Sequence, residues 1–375
     1  MELEKLLGHH ATLAVRLMRA QLRDDPDLLE TSVAALARNT KDLGAVVGQV
    51  YGAQGRKQFE QLWLDHTVAF AAYAKGLVRD DQQLRRRAND SLEAYRREFG
   101  AFMEAATDGE LPAADVSAGL QIHIKHLLGQ ADAYAAGDYG RAYTLQRTAY
   151  AHMFPTGLTL AGGIASHGPA EIPAHFDAPP QRLRSTLGML LGEHVELVID
   201  TTRAGLRGDR DFPQAAAALD GNTQDLAAAM DTVVGGDAGR RFTKLWGDHI
   251  DLLLDYAVGT AEQDDAAVTR ARQGLSAYED SFGRYLWQAT GRRLAAPSLS
   301  AVVREHDEQL LRQIDAYAAA EYEAAHDIAF ESYQHMFTTA GQLAQAITQG
   351  TAGRLPKGGA QTGGGGTAGR GHVSR

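Results

Sequence analysis

The segment Leu62-Trp63-Leu64-Asp65-His66 returns later in the chain as Leu245-Trp246-Gly247-Asp248-His249. Three other segments do the same. Asn39-Thr40-Lys41-Asp42-Leu43 matches Asn222-Thr223-Gln224-Asp225-Leu226, and Asp132-Ala133-Tyr134 matches Asp315-Ala316-Tyr317. Tyr150-Ala151-His152-Met153-Phe154 matches Tyr333-Gln334-His335-Met336-Phe337. Each pair is separated by 183 residues. A constant offset over four segments reads as an internal duplication, and a duplicated sequence must fold as the same unit twice.

Within the unit, apolar residues recur at helical spacing, which predicts six helical segments. In the first copy these run over 3–23, 26–51, 55–78, 81–106, 112–135 and 138–165. Pro26 and Pro112 fall near helix starts, where a missing N–H costs nothing. Gly52 and Gly55 separate the second segment from the third. Short connections imply antiparallel neighbours. The expected fold class is therefore all-α, with two tandem up-and-down helical bundles. The expected boundaries are 1–166 for the first bundle, 167–182 for a proline-rich linker and 183–349 for the second bundle. Residues 350–375, with Gly363–Gly366, read as a disordered glycine-rich tail.

Charge and composition narrow the function. The formal net charge is −10 and no basic patch stands out, which argues against a nucleic-acid partner. The chain has no cysteine, which excludes disulfides, thiolate catalysis and cysteine-ligated zinc. No apolar run reaches the ~18–20 residues that span a bilayer, so the chain does not read as transmembrane. Met1-Glu2-Leu3-Glu4-Lys5 enters a helix at once, without an apolar leader. As written the sequence reads as cytoplasmic, and export would need a leader ahead of it.

Four histidines per copy occupy matching positions, and they carry the functional reading. They are His10, His66, His123 and His152 in the first copy, and His194, His249, His306 and His335 in the second. His10 shares a helix face with Leu6, Leu13 and Leu17. His66 shares one with Phe59, Leu62, Trp63, Phe70 and Tyr73, and His123 with Val116, Leu120 and Leu127. These three point inward. His152 has small neighbours, Thr148, Ala149, Pro155 and Thr156. A single histidine on an apolar face is usually a hydrogen-bonded core residue. Several imidazoles in one core leave donors unsatisfied, and a bound cation or a haem would satisfy them together. Asp65 and Asp248 precede the third-segment histidine and are candidates to ligate or orient an imidazole. Met153 and Met336 follow the last one, and thioether plus imidazole suits copper. The Glu-x-x-His pairs of di-iron bundles are missing, and so are P-loop and nucleophile-elbow motifs.

Asn39 to Leu43, Leu62 to His66, and Ala149-Tyr150-Ala151-His152-Met153-Phe154-Pro155-Thr156-Gly157 together resemble a family of bacterial helical-repeat proteins. Members of that family often carry the label "copper amine oxidase-like". The resemblance runs to about residue 347 and is most specific at His152-Met153-Phe154. It implies copper by association. The enzymatic part of the label does not carry over. Copper amine oxidases use a β-rich fold and a self-processed tyrosine after asparagine, and no Asn-Tyr occurs here. The expectation is non-enzymatic binding of a transition metal, copper or another, by the histidine cluster of each bundle. Haem held by two of the same histidines is the alternative, and a structural or protein-interaction module without a ligand is the third reading.

Overall fold

The computed structural model describes residues 1–165, 178–235 and 237–350. Every regular element among them is a helix. The N-terminal half holds α1 (Glu2–Arg23), α2 (Pro26–Val78), α3 (Gln82–Ala106), α4 (Ala113–Ala135) and α5 (Tyr139–Ala165). The C-terminal half holds α6 (Pro179–Arg207), α7 (Phe212–Val234), α8 (Ala238–Glu262), α9 (Asp265–Ala289), α10 (Ala296–Ala318) and α11 (Tyr322–Gly350). The halves differ in count because α2 is two helical segments joined at Gly52, where φ is 70° and ψ −172°. Its counterpart Gly235, with φ 78° and ψ −179°, ends α7 outright. A left-handed φ at both places is the reason glycine stands there.

Local sequence sets the helix ends. Asp25 accepts a hydrogen bond from Leu28 N and precedes Pro26, so cap and N1 proline act together. Asp81 and Asp264 cap α3 and α9 in the same way. Successive helices pack against one another, and α5 returns onto α1 as α11 returns onto α6. One large apolar cluster fills the N-terminal half, around Leu43, Phe70, Leu92 and Leu127. Another fills the C-terminal half, around Leu226, Leu253, Leu275 and Leu310.

α6 begins at Pro179, inside the expected linker of residues 167–182. Pro179 and Pro180 open α6 instead of lying in the connection, since proline fits the first helical positions. The remainder of that linker, and the expected tail from residue 351, lie outside the described residues.

α1 and α6 are buried on all sides, over Leu6–Ala20 and Leu190–Ala204. One face of each fills its own half, and the opposite face meets the other half through charged groups. Arg16 on α1 reaches Glu196 at 2.8 Å and Asp200 at 3.1 Å on α6. Gln146 donates to Asp200 at 2.7 Å. Burial raises the Glu196 carboxyl to about 7 against the pull of Arg16. Arg23 pairs with Asp209 and Asp211, and Asp211 also accepts from Tyr134 and Tyr143.

Candidate metal centres

Three of the four expected histidines in each half come together. His10 on α1, His66 on α2 and His123 on α4 are 0, 1 and 3 % exposed. His194 on α6, His249 on α8 and His306 on α10 are 0, 0 and 2 % exposed. Within each triad the candidate ligand nitrogens lie within 4.8 Å of one another. The ring centroids of His10 lie 5.0 Å from His66 and 5.9 Å from His123. In the other triad the separations are 5.4, 5.5 and 5.8 Å. Imidazoles on one metal need nitrogens roughly 3–4 Å apart, and small side-chain rotations cover the difference.

Matching residues aim these rings. Asn39 donates to Leu6 O at 2.9 Å and Asn222 to Leu190 O at 3.0 Å. Those carbonyls belong to the residues four before His10 and His194, so each asparagine fixes the turn of helix that carries the ring. Trp63 Nε1 donates to His10 Nδ1, and Trp246 Nε1 to His194 Nδ1, both at 3.3 Å. Tyr95 stacks on His66 at 4.3 Å and Tyr278 on His249 at 4.8 Å. His249 Nδ1 lies 3.2 Å from Trp246 O, leaving Nε2 to face the triad.

Burial keeps every triad imidazole neutral near pH 7. Desolvation lowers His66 to about 3 and His249 to about 4. His10, His123, His194 and His306 are lowered well below the ordinary value, first by desolvation and then by neighbouring imidazoles. Neutral imidazole is the form that binds a metal.

The remaining candidates stand elsewhere. His152 Nε2 lies 3.1 Å from Gly119 O, and His335 Nε2 lies 3.0 Å from Val302 O. Both rings are half-buried and spend this nitrogen on a carbonyl one helical turn before His123 or His306. They brace α4 and α10, which carry the third histidine of each triad, and are not grouped with the triads. Asp65 and Asp248 face solvent, one accepting from Gln61 at 2.9 Å and the other paired with Lys244 at 2.7 Å. The turn of about 100° from His66 or His249 carries them outward, which corrects their expected part in the site. Met153 and Met336 are buried in the two apolar clusters as packing residues. A haem held by His10 and His66 would have to part rings whose Nε2 atoms stand 3.0 Å apart.

Sequence matching passed over two features. Trp63 and Trp246 belong to the repeated segments, so their bond to the first-helix histidine had a visible signal. Asp307 had none, because the matching residue in the first half is Ile124. Its carboxyl is 1 % exposed and burial pushes its pKa well above the ordinary range.

Compared with protein families, curated proteins and solved structures, the chain gives no match in any of the three. No helix among the described residues is long and apolar enough to cross a membrane.

Proposed function

We propose that each half of this chain binds one transition-metal ion through its histidine triad, and that the protein carries metal without catalysing a reaction on it. The observation that supports this is the convergence of three buried, neutral imidazoles from three helices at the same place in both halves. Imidazole ligands suit copper, zinc, iron or nickel. Copper is the ion that the sequence resemblance favours. Metal analysis of the purified protein, followed by titration of the stripped protein, tests the reading. His66→Ala with His249→Ala should abolish stoichiometric binding while the helical circular dichroism stays. Unchanged metal uptake in that double variant removes these residues from the site.

A second reading has an observation in its favour in the first half. Trp63 donates to His10, and His10 meets His66 at 3.0 Å, so these two rings are partly satisfied without any ion. In this reading the triad is a buried hydrogen-bond network. It predicts no metal uptake, and loss of the fold in the alanine variants.

A further inference from the structure

The two triads are not chemically alike. His123 on α4 is followed by Ile124, which is 7 % exposed and packs in the apolar cluster of its half. His306 on α10 is followed by Asp307 at the matching position. Asp307 is 1 % exposed, and neither carboxylate oxygen has a hydrogen-bond partner among the described residues. Its one ion-pair neighbour there is His249, whose Nε2 lies 3.5 Å from Oδ1 without hydrogen-bond geometry. Isolation of a carboxylate in a core is unfavourable unless a cation or a donor meets it.

Nitrogens of the triad to which His249 belongs are also unmet. His194 Nε2, His249 Nε2 and both nitrogens of His306 lack partners among the described groups. In the N-terminal triad the corresponding Nε2 atoms of His10 and His66 bond each other. The C-terminal site thus combines unmet imidazole nitrogens with an unmet carboxylate, where the N-terminal site has a partly closed relay beside an isoleucine. Two donors on one tetrahedral ion, with bonds near 2.0–2.2 Å, stand roughly 3.3 Å apart. The 3.5 Å between His249 Nε2 and Asp307 Oδ1 is close to that spacing, and since the carboxylate is not grouped with the three imidazoles within 4.8 Å, a side-chain rotation must bring it to the other two.

We propose that Asp307 is the fourth ligand of the C-terminal site, making it a three-histidine, one-carboxylate centre for a divalent transition metal. This rests on the reading that the triads bind metal. The carboxylate has two effects there. It supplies an oxygen donor suited to borderline divalent ions such as zinc, cobalt, iron or manganese. It also cancels one unit of the charge that a divalent ion brings into a low-dielectric core. The N-terminal site has no such charge, so the halves hold the same divalent ion with unequal affinity.

Titration of the stripped full-length chain with cobalt(II) chloride tests this, because the visible spectrum of cobalt reports its ligands. Wild type should take up two ions, one bound at least about 10-fold more tightly than the other. Asp307→Asn and Asp307→Ile should each weaken the tight class by at least about 10-fold, alter its spectrum and leave the weak class unchanged. Isoleucine is the residue of the other half, and asparagine keeps the shape, so the two variants guard against a folding artefact in either one. Asp307→Ile should also raise the melting temperature of the metal-free protein, since it removes buried polar oxygens that lack a hydrogen-bond partner. Two classes unaffected by both substitutions would exclude Asp307 as a ligand while leaving the triads as metal sites. No cobalt uptake by wild type would overturn the metal reading and this inference with it.

Discussion

The hydroxyls of Tyr150 and Tyr333 lie 3.1 Å apart, and the two residues are separated by 183 positions, the offset that relates the repeated segments. Each therefore meets its own counterpart. Phe154 and Phe337, also matched, stack at 6.2 Å one turn further along. Contact between like residues is the arrangement of an isologous interface, here within one chain. It sets α1 and α6 back to back, and those two helices carry His10 and His194. The interface between halves therefore backs the helix that supplies one ligand to each candidate site.

Close approach at this interface depends on glycine. A Cβ at Gly192 would stand 2.6 Å from Tyr150 Oη and 2.7 Å from Phe337 Cε2. Gly192→Ala should destabilise the protein by about 1–3 kcal/mol, read from urea unfolding. Gly247, inside α8, has nothing within 4 Å of the same position. Gly247→Ala should be neutral or stabilising by up to about 1 kcal/mol. Equal effects from the two substitutions would mean that the interface tolerates a methyl group and is not tightly packed there.

Buried charge across the interface gives a pH signature. Burial pushes the Asp200 carboxyl up, but Arg16, Arg203, Arg19 and the Gln146 hydrogen bond outweigh it and hold it at about 2. A folded value below the unfolded one means stability that is fully present above the unfolded value and lost as pH falls through the folded one. For a shift of this size the contribution is on the order of 2 kcal/mol. Asp200→Asn should therefore be less stable than wild type near neutrality, with the gap narrowing as pH falls from about 4 to about 2. A gap independent of pH over that window would show that Asp200 contributes by shape and hydrogen bonding alone.

Periodicity and the repeat made the helices legible, because a helix that buries one stripe writes that stripe into its sequence. The break at Gly52 and the inward direction of His10, His66 and His123 followed from local spacing. The use of α1 and α6 did not. Their second face carries Arg16, Arg19, Glu196 and Asp200, which on spacing alone reads as a solvated face. Only the packing of one half on the other shows it to be interior. Asp65 was misplaced for a related reason, since adjacency to His66 in a helix places a side chain about 100° away and does not say what lies there. Asp307 was hidden by the repeat itself, because matching positions draw attention to what the halves share and away from where they differ.

The bond between Trp63 and His10 leads to an effect opposite to that expected of a supporting residue. A neutral imidazole carries one N–H. Trp63 Nε1 donates to His10 Nδ1, so the His10 proton sits on Nε2, the atom that faces His66 Nε2 at 3.0 Å. A metal on His10 Nε2 needs the lone pair there and the proton on Nδ1, where the indole N–H would then oppose it. Metal-bound histidines ordinarily donate the other N–H to an acceptor. Trp63 thus stabilises the metal-free state of the first site. Trp63→Phe keeps a ring to stack on Phe59, now 5.0 Å away, and removes the competing N–H. A neutral hydrogen bond contributes about 1 kcal/mol, so the substitution should raise cobalt affinity at the first site by roughly 5-fold. The measurement belongs in a His249→Ala, His306→Ala background, where the first site alone responds, with circular dichroism to confirm the fold. A fall in affinity would show that Trp63 positions His10 for the metal. No change would mean that His10 is not a ligand through Nε2.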